Sequence, residues 1–75
     1  MEKQIKSLVS DLFDVDVKSL SLKSSPDDIE KWDSLGHMNL VAAVEEEFEI
    51  ELSDEDIDDM ANIALVINIV EGKIL

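Results

Sequence analysis

Several residue types that carry chemistry are absent from this 75-residue sequence. It contains no cysteine, which excludes disulfides, thiolate zinc sites and a cysteine nucleophile. No apolar run approaches the ~20 residues that a membrane span requires. The amino terminus lacks the apolar segment of a signal peptide, so we expect a cytoplasmic protein with no membrane insertion. A chain this short favours a few helices around one core over a parallel sheet.

Arginine is also absent, and the remaining charge is strongly one-sided. Six lysines face nineteen carboxylates, which gives a formal net charge of −13. Ten acids and no base lie within residues 45–59, a concentration that solubility alone does not require. Such a surface repels nucleic acid and anionic lipid and attracts basic proteins. We therefore expect basic protein partners and no nucleic acid.

The spacing of apolar residues predicts a first helix over residues 3–13. Its buried stripe, with Phe13 beside it, consists of Ile5, Leu8, Val9 and Leu12. Residues 14–24 have apolar side chains at mostly alternate positions but no evident pairing partner, which indicates an ordered loop. Ser25-Pro26 has the chemistry of a helix start, yet it leads only into a short turn at residues 29–31.

The longest predicted helix runs from Ser34 to Phe48, with Asp33 as its cap. On a helical wheel its core side consists of His37, Leu40, Val41, Val44 and Phe48. A second apolar group lies on nearly the opposite side, beside Glu45 and Glu46, and consists of Leu35, Met38 and Ala42. A helix of a simple bundle needs only one apolar stripe. The second group therefore indicates a surface with another use.

A short third helix is predicted after Ser53, which is followed three positions later by an acid, as in a capping box. This helix would carry Ile57 and Met60.

A last helix is predicted over residues 63–71, with Asn62 as its cap and Gly72-Lys73 at its end. The run from Leu65 to Val70 is rich in β-branched residues, so propensity alone would also allow a strand. The pattern leaves the burial of Leu65 and Ile69 open.

Ser34 is the most informative position because it begins the longest predicted helix. Free backbone N–H groups and the positive end of the helix dipole favour an anion there. A phosphodiester on the Ser34 hydroxyl would lie in that field. Taken alone, Asp33-Ser34 is better explained as a simple helix cap, because capping residues are common.

The neighbouring motifs extend this observation over nearly the whole chain. Asp33-Ser34-Leu35 follows one helix and one long loop, and downstream come Leu40-Val41, Glu45-Glu46-Glu47-Phe48 and Ile50-Glu51-Leu52. In these motifs, and in its length and acidity, the chain resembles the acyl carrier protein family. The resemblance implies one domain, residues 1–75, folded as an all-α four-helix bundle. It also implies a short third helix and a long loop between the first two.

The resemblance implies a covalent 4′-phosphopantetheine on Ser34, attached by a phosphopantetheinyl transferase that holds magnesium. Asp33 would lie beside the magnesium and assist the transfer, and the protein itself would bind no metal and catalyse nothing. The phosphopantetheine forms a flexible arm, and the thiol at its end would hold acyl groups as thioesters. The chain would act as a monomer, presenting Leu35, Met38 and Ala42, with Glu45 and Glu46, to basic patches of acyl-loading and acyl-transfer enzymes. His37 and Val41 would lie at the rim of an acyl pocket.

The sequence departs from the fatty-acid type of carrier at three positions. Gly36 and Asn39 stand where that type usually has acids, and Trp32 is larger than its usual counterpart. These departures predict a standalone carrier dedicated to a specialised lipid, lipopolysaccharide or secondary-metabolite pathway. A fatty-acid carrier and an aminoacyl carrier remain alternatives.

Two other classes of protein bind through acidic segments. A calcium-binding EF-hand loop needs glycine at its sixth position and glutamate at its twelfth. Counting from Asp14 gives Ser19 and Ser25, and counting from Asp54 gives Asp59 and Leu65, so both candidates fail. An unmodified acidic adaptor that binds basic proteins through residues 45–59 remains open.

Overall fold

The computed structural model describes residues 1–74 and consists there of helices, turns and loops, with no strand. The four α-helices are α1 (Glu2–Phe13), α2 (Ser34–Phe48), α3 (Asp54–Asp59) and α4 (Ile63–Ile74). A short 3₁₀ helix, Val17–Ser19, lies in the long loop between α1 and α2. This arrangement confirms the all-α four-helix bundle with a short third helix. No helix within the described residues has the length and apolar character that a membrane span needs.

The three longer helices and the long loop share one core. Its buried side chains are Ile5, Val9, Phe13, Leu20, Ile29, Trp32, Leu40, Val41, Val44, Met60, Ile63, Val66, Ile67 and Val70. In α1 the predicted stripe is wrong at its end, because Leu12 is exposed and Phe13 is buried. The reason is a tertiary contact: the Phe13 ring stacks on the Trp32 indole, with centroids 5.7 Å apart.

The long loop is ordered because it supplies both core side chains and backbone acceptors. Leu20 and Ile29 are buried, whereas Val17 and Leu22 are exposed. The carbonyls of Ser24 and Leu22 accept the first N–H groups of α4, at 3.0 and 2.9 Å respectively. These N–H groups have no partner within their own helix. The loop therefore fixes the start of α4 as well as the approach to α2.

The β-branched run in residues 65–70 is helical, as predicted, although propensity alone would also allow a strand. The buried residues of α4, Ile63, Val66, Ile67 and Val70, follow helical spacing, so packing of one face outweighs strand propensity. The predicted cap is confirmed, since Asn62 Oδ1 accepts from Leu65 N at 2.9 Å. The predicted end at residue 71 is wrong, because α4 continues to Ile74 with Gly72 inside it.

Helix α3 has few apolar anchors and is fixed by polar contacts. Ser53 and Asp56 form the predicted capping box, with bonds of 3.1 and 3.0 Å between each side chain and the other's backbone N–H. Lys73 Nζ lies 2.8 Å from Asp56 Oδ2, which joins α4 to α3. Met60, predicted within this helix, is buried at its C-terminal cap.

The contacts of Asp56 predict an acid-sensitive contribution to stability. The hydrogen bond from Lys73, followed by that from the Ser53 N–H, holds the pKa of Asp56 below its ordinary value of 3.8. A lowered folded-state pKa stabilises the fold above the ordinary value, and this stabilisation is lost as pH falls through the lowered pKa. We expect the free energy of unfolding of Asp56→Asn, measured by urea titration, to fall less steeply than wild type below about pH 5. Asp59→Asn, a matched charge removal that leaves the Lys73 pair intact, should keep the steeper dependence; equal slopes for all three proteins would contradict the assignment.

Candidate functional site

The amino terminus of α2 presents an exposed serine at the positive end of a helix. Asp33 is the N-cap: its Oδ1 accepts from Gly36 N at 2.8 Å, and its carbonyl accepts from His37 N at 2.7 Å. Ser34 is the first helical residue and is exposed. The cap thus relies on Asp33 and leaves the Ser34 hydroxyl at the surface. An anionic substituent on that oxygen would be stabilised by the helix dipole and the first backbone N–H groups.

An open cleft of about 550 Å³ begins at this serine. Its walls come from the long loop, α2 and α3, and they consist of Pro26, Trp32, Asp33, Ser34, His37, Met38, Ile57 and Asp58. The volume is within the ~300–1,000 Å³ that small-molecule sites usually have. An elongated group attached to Ser34 therefore has an adjacent, partly apolar groove in which to lie. Sequence reasoning missed Pro26, Ile57 and Asp58 because the long loop and α3 are brought to α2 only by the tertiary fold.

His37 is held in the wall of this cleft by two hydrogen bonds. Trp32 Nε1 donates to His37 Nδ1 at 2.8 Å, and His37 Nε2 lies 2.8 Å from the Ile57 carbonyl. Because the indole N–H can only donate, Nδ1 must accept, and Nε2–H then donates to the carbonyl. Neither ring nitrogen is free to act as a base on Ser34. The half-buried position fits the predicted place at the rim of a pocket, and that role stays a prediction.

The remaining predicted pocket residue lies deeper. Val41 is buried among the core side chains rather than in the wall of the open cleft. One helical turn separates it from His37, so it would meet a bound acyl group only if that group entered the core. Its predicted role therefore depends on such an entry.

The second apolar group of α2 is solvent-exposed, as a contact surface requires. Leu35 is 73% exposed and Met38 is 51% exposed, and Ala42 and Glu46 are exposed beside them. Glu45 is half-buried, and its Oε2 accepts from Leu52 N at 2.9 Å. This bond fixes the loop that follows α2, a role that sequence reasoning missed. Docking of partners on these five residues stays a prediction.

Gly36 allows the loop before α2 to approach the helix closely. A Cβ at this position would lie 2.0 Å from the Lys31 carbonyl oxygen and 3.0 Å from Phe13 Cε1. The obstacle at 2.0 Å is backbone and cannot turn aside. The glycine that breaks the acidic pattern of fatty-acid carriers is thus required by packing. It lets the segment carrying Trp32 and Asp33 lie against the first turn of α2.

This contact reverses the usual effect of replacing a helical glycine. Alanine normally stabilises a helix interior by about 1 kcal/mol relative to glycine. We expect Gly36→Ala instead to lower the free energy of unfolding by roughly 1–3 kcal/mol, because overpacking displaces the loop. Gly72→Ala is the matched control, since a Cβ there meets nothing within 4 Å. Urea denaturation should show Gly72→Ala unchanged or more stable, and a stabilised Gly36→Ala would contradict the proposed contact.

Comparisons with known proteins identify one family. Residues 3–70 match the family model described as "Phosphopantetheine attachment site". The chain is 38% identical over 74 residues to an acyl carrier protein of Buchnera aphidicola, covering 97% of this chain and 92% of that one. It is 30% identical over 70 residues to an acyl carrier protein of Clostridium acetobutylicum, covering 93% of this chain and 91% of that one.

The fold comparison gives the same family. The solution structure of a holo acyl carrier protein from Geobacter metallireducens superposes with a TM-score of 0.85 at 28% identity, covering 96% of this chain and 83% of that one. Acyl carrier proteins act with a phosphopantetheinyl transferase and with acyl-processing enzymes, and they catalyse no reaction themselves. The chain therefore belongs to the phosphopantetheine-binding acyl carrier family, as a non-enzymatic carrier in lipid biosynthesis whose cofactor is covalently attached 4′-phosphopantetheine.

Proposed function

We propose that the cofactor is attached to Ser34 and that this chain presents acyl thioesters from there to partner enzymes. The observation that carries the proposal is the exposed Ser34 hydroxyl at the start of α2, with an open cleft beside it. In the transfer, Ser34 Oγ forms a bond to the phosphorus of coenzyme A that carries the pantetheine. The pyrophosphate bond breaks, adenosine bisphosphate leaves, and the hydroxyl proton passes to a base of the transferase. When bound, the arm supplies the thiol on which an acyl group is held.

In this proposal Asp33 assists from the neighbouring position. One of its carboxylate oxygens is engaged by Gly36 N, and the residue as a whole is exposed. An exposed carboxylate adjacent to the accepting hydroxyl is suited to contact the magnesium that the transferase holds. Hard cations of this kind prefer oxygen ligands.

Mass spectrometry tests the attachment. The purified chain, incubated with coenzyme A, magnesium and a broad-specificity phosphopantetheinyl transferase, should gain the mass of one arm. Tandem spectrometry should assign the added mass to Ser34. An unchanged mass, or an arm on any other serine, would contradict the assignment of Ser34.

We further propose that partner enzymes dock on the face formed by Leu35, Met38, Ala42, Glu45 and Glu46. Exposed apolar side chains next to carboxylates suit a partner surface that combines an apolar pocket with basic residues. The chain would meet these partners as a single-domain, cytoplasmic monomer spanning residues 1–75.

The specialised pathway is a separate part of the proposal. It is supported by Gly36 and Asn39, which make the first turns of α2 less acidic, and by the buried Trp32. A less acidic start of α2, beside the proposed docking face, should bind the enzymes of fatty-acid synthesis poorly. With a fatty-acid acyl carrier protein as reference, we expect the malonyl-transfer enzyme of that pathway to load the holo chain at least tenfold more slowly. Equal loading rates would favour the fatty-acid role.

A further inference from the structure

Three residues around the cleft are joined in one chain of hydrogen bonds that crosses from α2 to α3. Trp32 Nε1–H donates to His37 Nδ1, and His37 Nε2–H donates to the Ile57 carbonyl, each at 2.8 Å. We refer to Trp32, His37 and Ile57 with these two bonds as the latch. All three residues also line the cleft beside Ser34. The latch therefore forms part of the wall that any cargo on the arm would meet.

The latch matters for α3 because that helix has few other attachments to α2. None of its six residues is fully buried. A helix this short cannot satisfy its last carbonyls internally, and among residues 1–74 the Ile57 carbonyl otherwise accepts only a long 3.4 Å bond from Met60 N. His37 thus supplies a capping donor from a neighbouring helix. Without it, one wall of the cleft would lose its direct hydrogen bond to the opposite wall.

Trp32 separates the cleft from the core. Its indole is only 2% exposed and lies stacked between Phe13 and His37, with centroid distances of 5.7 and 6.2 Å. The edge that reaches the cleft is held there by the bond to His37. An acyl chain extending from the cleft into the core would have to displace this ring or move α3 away from α2. Either movement breaks the latch.

We propose that the latch restricts cargo to the open cleft, so that acyl chains lie at the surface and do not enter the core while it is closed. This inference rests on the proposed attachment of the arm to Ser34. His37 and Trp32 would then determine which acyl groups can enter the core. The closed latch favours short or polar acyl groups, which gain little from burial. Long apolar chains, which gain more from burial with each added CH₂, would enter the core only after the latch opens.

The first test uses the unloaded protein and needs no cofactor. Amide hydrogen exchange across α3 should be at least tenfold faster in His37→Ala than in wild type, because α3 loses its bond to α2. His37→Gln should restore slow exchange, since its amide can accept from Trp32 and donate to the Ile57 carbonyl. Trp32→Phe keeps an aromatic ring but removes the donor, and it should also accelerate exchange. It serves as the independent variant if His37→Ala fails to fold.

The second test measures how well the protein protects the acyl thioester from a reagent in solution. The transferase can load acetyl- or octanoyl-phosphopantetheine from the corresponding acyl coenzyme A, and the mass confirms loading. Hydroxylamine then cleaves each thioester to a hydroxamate and the free thiol. In wild type we expect the two thioesters to be cleaved at rates within about twofold. In His37→Ala the octanoyl thioester should be cleaved at least fivefold more slowly than the acetyl thioester, and His37→Gln should behave as wild type.

The outcomes separate the latch from the carrier function. An octanoyl thioester already protected fivefold in wild type would overturn the restriction on cargo. Unchanged exchange of α3 in both His37→Ala and Trp32→Phe would overturn the latch itself. Failure to load any arm on wild type would contradict the attachment proposal while leaving the exchange test of the latch in force.

Discussion

Ser34→Ala should abolish attachment of the arm completely and leave the fold intact. Ser34 is exposed, and the capping bond at this helix end comes from Asp33. Alanine is the best helix former, and surface changes of this kind alter stability by no more than about 0.5 kcal/mol. The variant should therefore keep its helical circular dichroism and its urea midpoint. With coenzyme A, magnesium and a transferase, its mass should stay that of the unmodified chain.

Ser53→Ala provides the opposite pattern as a control. Ser53 is also an exposed serine at a helix start, but its hydroxyl accepts from Asp56 N at 3.1 Å. Loss of such a cap costs about 1 kcal/mol, so this variant should be less stable than wild type and still receive the arm. The two serines would then be separated by function: one takes the cofactor and one holds a helix. Full modification of Ser34→Ala would refute the assignment.

The features that were predicted correctly from sequence are those fixed over short distances along the chain. Asp33, Ser53 and Asn62 each cap a helix at the expected position, because a capping side chain bonds to N–H groups two or three residues away. The bounds of α2 agree with prediction for the same reason. Its two apolar faces follow from helical spacing alone, so the exposed Met38 and the buried Leu40 could be assigned without a structure.

The features that sequence reasoning missed depend on contacts between distant segments. The sequence marked Gly36 only as a position where an acid is usual, whereas its lack of a side chain admits the Lys31 carbonyl. Trp32 was recognised only as a large residue, and its bond to His37 requires the loop to fold back over α2. The burial of Phe13 in place of Leu12 has the same origin, because the Phe13 ring stacks on the Trp32 ring. Spacing along one helix contains no information about such partners.

The two faces of α2 allow a direct comparison of packing with docking. Leu40 is 0% exposed and Met38 is 51% exposed, although only one residue separates them. Truncation of a buried leucine to alanine removes transfer energy and leaves a cavity, at a cost of ~2–5 kcal/mol. Small domains have little stability in excess of this, so Leu40→Ala should lower the urea midpoint sharply or prevent folding at 25 °C. Met38→Ala should change the free energy of unfolding by less than about 1 kcal/mol, since half of the side chain is already in water.

Leu40→Ala should cause the larger loss of stability, whereas Met38→Ala should cause the larger loss of transfer by partner enzymes. Met38 projects from the proposed docking face beside the cleft, so Met38→Ala should slow transfer of the arm or of acyl groups by a partner enzyme, chiefly through a higher KM. Glu46→Lys on the same face should impair the same step and weaken its dependence on salt, because it reverses a charge that attracts a basic partner. Leu65→Ala, a partly exposed leucine on α4 rather than on this face, is the control: it should lose a similar small amount of stability and leave transfer near wild type. A Met38→Ala variant that unfolds while Leu40→Ala stays stable would show that the faces of α2 are assigned the wrong way round. A stable Met38→Ala with unchanged transfer would instead place the docking surface elsewhere on the chain.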